Sequence, residues 1–244
     1  MRRALATAAL LASLLPSAVA AQGGRGFLFD SPKVSLGFRA GYAFPRAEGE
    51  LFDFTREQFI LNKWDFSSPY IGGELAVRLS EHWDVALDLG YTYSRSLSEY
   101  RDYVGTDGLP VEQETTFETV SGTVGAKYYF AGRGRSIGRF AWVPRKWTPY
   151  FGFGGGFLTY DFVQSGEFID FTTFDIYFDT LETSEDAVVA YASLGTDLAL
   201  GSRGILTGEA RYQISNAPVR GGYVGFDNVD LGGLQVIVGL GFRL

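Results

Sequence analysis

Six basic and five acidic side chains recur at alternating positions inside stretches that are otherwise apolar or small: Lys33, Arg39, Arg78, Lys127, Arg211 and Arg243 against Glu74, Asp84, Asp88, Asp197 and Glu209. A ring of one sign would steer an ion, whereas an evenly mixed set withdrawn from water must pair with itself to be tolerated. The near balance of signs favours pairing. Arg39, Glu74, Arg78, Asp88, Lys127, Asp197, Glu209 and Arg211 are therefore candidates for one buried charge network. Nucleophilic chemistry finds no such support. The chain has no cysteine, and its one histidine, His82, stands beside Trp83 in a short polar turn, without a second base or a thiol to complete a nucleophile–base pair. No catalytic, metal-binding or cofactor-binding residue is assigned.

The same stretches show what must hold these charges. From Lys33 to Phe44, Val34, Leu36, Phe38, Ala40, Tyr42 and Phe44 alternate with Lys33, Ser35, Gly37, Arg39, Gly41 and Ala43. That period of two predicts a strand with large apolar groups on one face and charged or tiny groups on the other, as expected for lipid outside and a narrow polar interior. Comparable patterns predict strands over residues 70–79, 83–94, 117–130, 148–162, 187–200, 205–214 and 231–244. Their connections alternate in length: 80–82 and 201–204 are short, while 45–69, 95–116, 163–186 and 215–230 are long. The exception is 131–147, long and basic on the short-turn side. Tyr42, Phe44, Tyr70, Tyr91, Tyr93, Tyr160 and Tyr212 are expected in an aromatic girdle at the loop end, and Trp83, Tyr128, Phe130, Tyr150 and Phe242 in one at the turn end.

Composition narrows the class further. Residues 1–20 carry Arg2 and Arg3, an apolar run from Ala4 to Leu15, Pro16 and then Ala18-Val19-Ala20, the pattern of a cleavable secretory signal peptide. Its apolar run is too short to span a bilayer as a helix, and no other segment is long and apolar enough to do so. Loss of Arg2 and Arg3 from the 21 basic residues leaves 19 against 28 acidic ones, a formal charge of −9, which argues against a nucleic-acid partner. With no cysteine, stability must come from packing and a closed hydrogen-bond ladder. Residues 21–244 read as one domain.

A leader, eight alternating strands and an apolar final strand ending Gly241-Phe242-Arg243-Leu244 resemble the small outer-membrane β-barrel superfamily, which includes the OmpA transmembrane domain and the OmpX and OmpW types. The resemblance implies an all-β, eight-stranded antiparallel up-and-down transmembrane barrel in the cell outer membrane, with short periplasmic turns and long outer loops. Implied partners are outer-membrane lipid, lipopolysaccharide and the barrel-assembly machinery, which reads the C-terminal strand; Leu244 stands where the family usually has an aromatic residue. The chain is expected to be a monomer and not an enzyme, because the histidine-bearing rim of the barrel enzymes has no counterpart in His82.

Other features have bland readings and sharper ones. The third long loop holds Asp161, Glu167, Asp170, Asp175, Asp179, Glu182, Glu185 and Asp186 and no basic residue, yet lacks the D-x-[DN]-x-[DN]-G spacing of a calcium loop, so a solvated acidic loop is expected. Phe168, Phe171, Phe174, Ile176, Tyr177 and Phe178 make it more apolar than a free loop should be, and leave room for an extended hairpin, a barrel cap or a partner-binding surface, and for ten strands in all. Gly152-Phe153-Gly154-Gly155-Gly156 lacks the lysine of a phosphate loop and is read as close strand packing. Arg133, Arg135, Arg139, Arg145 and Lys146 are expected to be solvated, with periplasmic or headgroup anions as their alternative partners. The functional expectation is a structural or surface-interactive role through acidic, aromatic loops; the alternative is an OmpW-like conduit for small hydrophobic molecules. A soluble lipocalin-like barrel is disfavoured because its apolar face would point inward.

Overall fold

The computed structural model describes residues 26–105, 108–170 and 172–244; the expected leader at 1–20 lies outside them, as does Phe171. In chain order the strands are β1 (Val34–Pro45), β2 (Ser68–Arg78), β3 (Trp83–Val104), β4 (Pro110–Tyr129), β5 (Gly134–Ile137), β6 (Ala141–Pro144), β7 (Trp147–Ile169), β8 (Ile176–Leu200), β9 (Gly204–Ala217), β10 (Val229–Asp230) and β11 (Gly233–Arg243). An α-helix, α1 (Glu50–Gln58), and a 3-10 turn (Lys63–Phe66) lie between β1 and β2.

The main sheet runs β9-β11-β1-β2-β3-β4-β7-β8 and closes through β8–β9, with every neighbouring pair antiparallel. Because β10 is an outer fragment that pairs with β9 just before β11 begins, the ring has eight staves. Alternation dictates the two faces. Leu36 lies opposite both Leu75 and Phe242, and all three face outward with Phe38, Leu89, Val124, Phe157 and Leu240. Their neighbours Arg39, Asp88, Lys127 and Glu209 are buried. An apolar exterior wrapped around buried charge is stable only in lipid, so the barrel spans a membrane.

The staves differ in height. β1, β2, β9 and β11 have 12, 11, 14 and 11 residues, close to the roughly 9–11 that cross a bilayer, whereas β3, β4, β7 and β8 have 22, 20, 23 and 25. Much of what the sequence presents as loop at 95–116 and 163–186 is therefore strand that continues above the bilayer. Polar residues face inward there too, Ser98, Gln113, Thr115 and Gln164 among them, so the hydrophobic contrast that marks a lipid-facing strand disappears while the pairing continues. From Ile176 to Val188, β8 pairs with β7 alone, since β9 meets it only from Val189. Asp179 accepts the Thr180 N–H at 2.8 Å along this stretch.

Both ends are closed. At the loop end, α1 turns Leu51, Phe52 and Thr55 inward, with Glu50 and Asp53 at its positive end and Arg56 at its negative end. Phe52 meets Phe66, Phe117 and Phe162 edge-on at centroid distances of 5.0, 5.7 and 5.7 Å. Leu158, Tyr160, Val189, Tyr223 and Leu231 complete this apolar core. A smaller core of Phe59, Leu61, Tyr100, Val111 and Ile169 ties the connection after α1 to the raised sheet. The 45–69 loop is thus a folded cap. Phe168 and Ile169 of the acidic loop are buried, while Phe174, Tyr177 and Phe178 at its tip are exposed.

At the turn end, β5 and β6 form a separate hairpin that carries Trp142 under the barrel mouth. Leu28 pairs with Trp142 through backbone bonds of 2.8 and 2.7 Å, and Arg78 and Arg243 lie 5.9 and 5.8 Å from the Trp142 ring centroid. A side chain at Gly134 would run into that ring, its Cβ only 2.3 Å from Trp142 Cζ2, so glycine is what lets the hairpin close.

Candidate functional site in the barrel lumen

Six of the eight candidate charges meet at the middle of the lumen. Arg39 reaches across from β1: its Nη1 donates to Glu74 Oε2 on β2 at 2.8 Å and to Asp88 Oδ2 on β3 at 2.6 Å, and its Nη2 lies 2.7 Å from Glu209 Oε1 on β9. Arg211, two residues along β9, donates to Asp88 Oδ1 at 2.8 Å and Glu209 Oε1 at 2.9 Å. Lys127 on β4 donates to both oxygens of Glu74, at 2.6 and 2.7 Å. Three cations face three carboxylates, and the knot is neutral. Side chains from five staves are tied together by it, which inward alternation makes possible but no local sequence spacing reveals.

Arg78 and Asp197 stand apart from the knot. Arg78 donates its Nε to Ser80 O at 3.0 Å and lies over Trp142, at the turn end. Asp197 accepts from Tyr129 Oη at 2.9 Å and from Thr207 Oγ1 at 2.7 Å. Asp84 is ion-paired with Arg133 at 2.7 Å, so this member of the expected solvated basic run is turned into the barrel. Lys33, expected inside, is exposed just before β1 begins.

Tyrosines expected in the girdles are part of the site. Tyr70, Tyr150 and Tyr160 are buried inside the barrel, the correction coming from strand parity: Ile71, Phe151, Phe153 and Phe157 face lipid, so their even-numbered neighbours face inward. Tyr70 donates to Asp88 Oδ1 at 3.0 Å and Tyr150 to Glu209 Oε2 at 2.5 Å. Tyr129 and Tyr191, absent from the expected site, also line it, with Tyr191 4.4 Å from the Arg211 guanidinium carbon. The room for such rings comes from the wall: a Cβ at Gly195 would fall 2.4 Å from Tyr150 Cζ. Tyr42, Tyr93, Trp83, Phe130, Tyr212 and Phe242 do face outward.

The space left is small. A cavity of about 20 Å³ bordered by Arg39, Glu74, Tyr129, Asp197 and Thr207 has room for about one water. Above the knot, Tyr223 donates to Gln164 Oε1 at 2.6 Å, and burial holds the Tyr223 phenol well above its ordinary pKa. His82 lies at the opposite end, stacked on Tyr128 at 6.1 Å.

No family model matches the sequence, and no curated protein does. Among solved structures, the outer membrane protein OprG from Pseudomonas aeruginosa superposes with a TM-score of 0.50 at 16% identity, over 87% of this chain and 97% of that one. The fold is that of the small outer-membrane β-barrels. Weaker superpositions include the N-terminal barrel domain of Pseudomonas aeruginosa OprF, with a TM-score of 0.37 at 14% identity over 88% of this chain and 100% of that one. Neisserial surface protein A gives a TM-score of 0.43 at 12% identity over 88% and 98%. Within this outer-membrane barrel fold, the neutral knot, the Phe52 cap and the Trp142 hairpin occupy the middle and both mouths of the lumen.

Proposed function

We propose that the chain is a monomeric, non-enzymatic resident of the outer membrane, a plugged scaffold that works through the surface it raises above the bilayer. The observation that carries this reading is the charge-neutral knot of Arg39, Lys127 and Arg211 with Glu74, Asp88 and Glu209, closed above by the Phe52 core. An ion entering such a lumen would have to break paired buried charges, each costing several kcal/mol. The same filling weighs against a conduit for small hydrophobic molecules, whose path would run through Phe52, Phe162 and Tyr160. Outward, the raised β3–β4 and β7–β8 hairpins offer Leu97, Val104, Leu109, Phe174 and Phe178 as exposed apolar contacts among carboxylates. The lipid-facing belt and the alternating last strand support contact with outer-membrane lipid and lipopolysaccharide, and delivery by the barrel-assembly machinery.

Single-channel recording on refolded protein, with heat-modifiable gel migration as the folding control, tests the reading. Folded protein is expected to be silent. Discrete openings would overturn the plug in favour of the conduit. Protease shaving of intact cells is expected to cut the β7–β8 tip near Asp170–Asp175, and resistance there would count against an outward working surface.

A further inference from the structure

The β5–β6 hairpin reverses the charge of the chain. Residues 131–147 carry Arg133, Arg135, Arg139, Arg145 and Lys146 with no acidic residue, in a sequence of formal charge −7. Arg133 is neutralised by Asp84. The other four are exposed, and among the described residues no carboxylate lies within ion-pair distance of them. Like charges so close together repel unless an anion joins them.

Pairing decides which of them act together. Arg135 lies opposite Val143 and Gly134 opposite Pro144, while the Arg145 N–H donates to Arg133 O at 2.9 Å. Arg135 and Arg145 consequently border a groove of about 310 Å³, lined also by Gly134, Val143 and Pro144. The groove sits at the foot of the hairpin, where the chain leaves β4 at Tyr129 and enters β7 at Trp147. The side chains there that look outward are aromatic: Phe130 is 57% exposed and Trp147 59%, with Phe151 and Phe153 next along the lipid face of β7.

A small free anion would use the guanidinium groups and nothing else. A groove whose basic rim adjoins an interfacial tryptophan and an apolar strand face suits a ligand with an anionic head and acyl tails. We propose that the foot of the β5–β6 hairpin binds an anionic phospholipid of the facing leaflet, its phosphate held by Arg135 and Arg145 and its tails lying along Trp147 and Phe151. Arginine suits this role because its planar fork binds phosphate through two parallel donors. The acidic raised hairpins at the other end would repel the same headgroup.

The test is native mass spectrometry of the full refolded barrel equilibrated with phosphatidylglycerol or with phosphatidylcholine. Wild-type protein should retain the anionic lipid at least about fivefold more, the effect expected of one basic residue near an anionic surface. The Arg135→Gln/Arg145→Gln variant should bring the ratio to about one, while Arg95→Gln, at the far end, should leave it unchanged. Equal retention of the two lipids by wild type, or an unchanged preference in the double variant, would overturn the proposal. So would binding of inorganic phosphate alone with no lipid preference, which would assign a free-anion site. If the double variant fails to give the folded gel band, the wild-type ratio and the single Arg145→Gln variant decide, the latter expected to lower the ratio and an unchanged ratio overturning the proposal. These outcomes are independent of whether the lumen conducts.

Discussion

Replacing Arg39 by methionine should leave the buried charges one cation short. Its side chain is 3% exposed and contacts Glu74, Asp88 and Glu209 at 2.8, 2.6 and 2.7 Å. In Arg39→Met, Glu74 keeps Lys127, and Asp88 and Glu209 both depend on Arg211. Three carboxylates then share two cations. Removing one partner of a buried ion pair costs about 3–5 kcal/mol, and the retained contacts place this case near the lower end, at about 3 kcal/mol. Methionine fills most of the vacated volume, so a cavity adds little. Adding Glu74→Gln removes the excess carboxylate and leaves an amide oxygen for Lys127. The double variant should regain about 1–2 kcal/mol over Arg39→Met alone, within the range for directly contacting residues. Equilibrium urea unfolding of the barrel in lipid vesicles, followed by tryptophan fluorescence and heat-modifiable migration, measures both quantities. A loss below about 1 kcal/mol in the single variant, or a further loss in the double, would refute the view that neutrality holds the lumen together.

Four further outcomes are expected. Tyr150→Phe should lose about 1.5–3 kcal/mol by the same unfolding assay, because its hydroxyl serves the buried Glu209 carboxylate. Gly195→Ala should be distinctly less stable than Gly208→Ala, since a Cβ at 195 strikes the Tyr150 ring while one at 208 meets nothing within 4 Å; equal stabilities would contradict the glycine-walled arrangement. Phe52→Ala should cost about 3–5 kcal/mol and loosen the loop-end core, read as faster proteolysis between β1 and β2. Trp142→Ala should free the β5–β6 hairpin, read as new cleavage at Arg135–Arg145, because the ring shared by Arg78 and Arg243 is gone.

The membrane-spanning part was legible because lipid enforces contrast. Where Leu36 and Phe38 must face hydrocarbon and Arg39 must not, the period of two is clean, and it locates β1, β2 and β11 closely. Above the bilayer nothing demands apolar residues, so Thr115 and Gln164 look like loop although they sit in strands. Tyr70, Tyr150 and Tyr160 were misplaced for a different reason: aromatic residues serve both as girdle and as lumen filling, and only parity with Ile71, Phe151 and Phe157 distinguishes the two. Inward parity selects the candidate charges, and six of the eight meet in the lumen. Their partners were not readable, because Arg39 finds Glu209 from residues 170 positions apart in sequence, through closure of the ring. Neither the α1 cap nor the Trp142 hairpin follows from strand periodicity, because each is fixed by apolar contacts across the barrel mouths.

The unequal staves give the molecule a tall side and a low side. A neighbour drifting in the plane of the membrane meets a parapet at β3, β4, β7 and β8 and an open sill at β1, β2, β9 and β11. The parapet finishes along β8, where residues 176–188 have a strand partner on only one flank. Such a rim could zip against its own copy in the next molecule, edge to edge, in a crowded two-dimensional array. Asp175, Asp179, Glu182 and Asp186 recur along it about once every four residues, so identical rims meet as like charges. The acidic run would oppose such pairing between identical copies and leave the rim to surfaces of another charge.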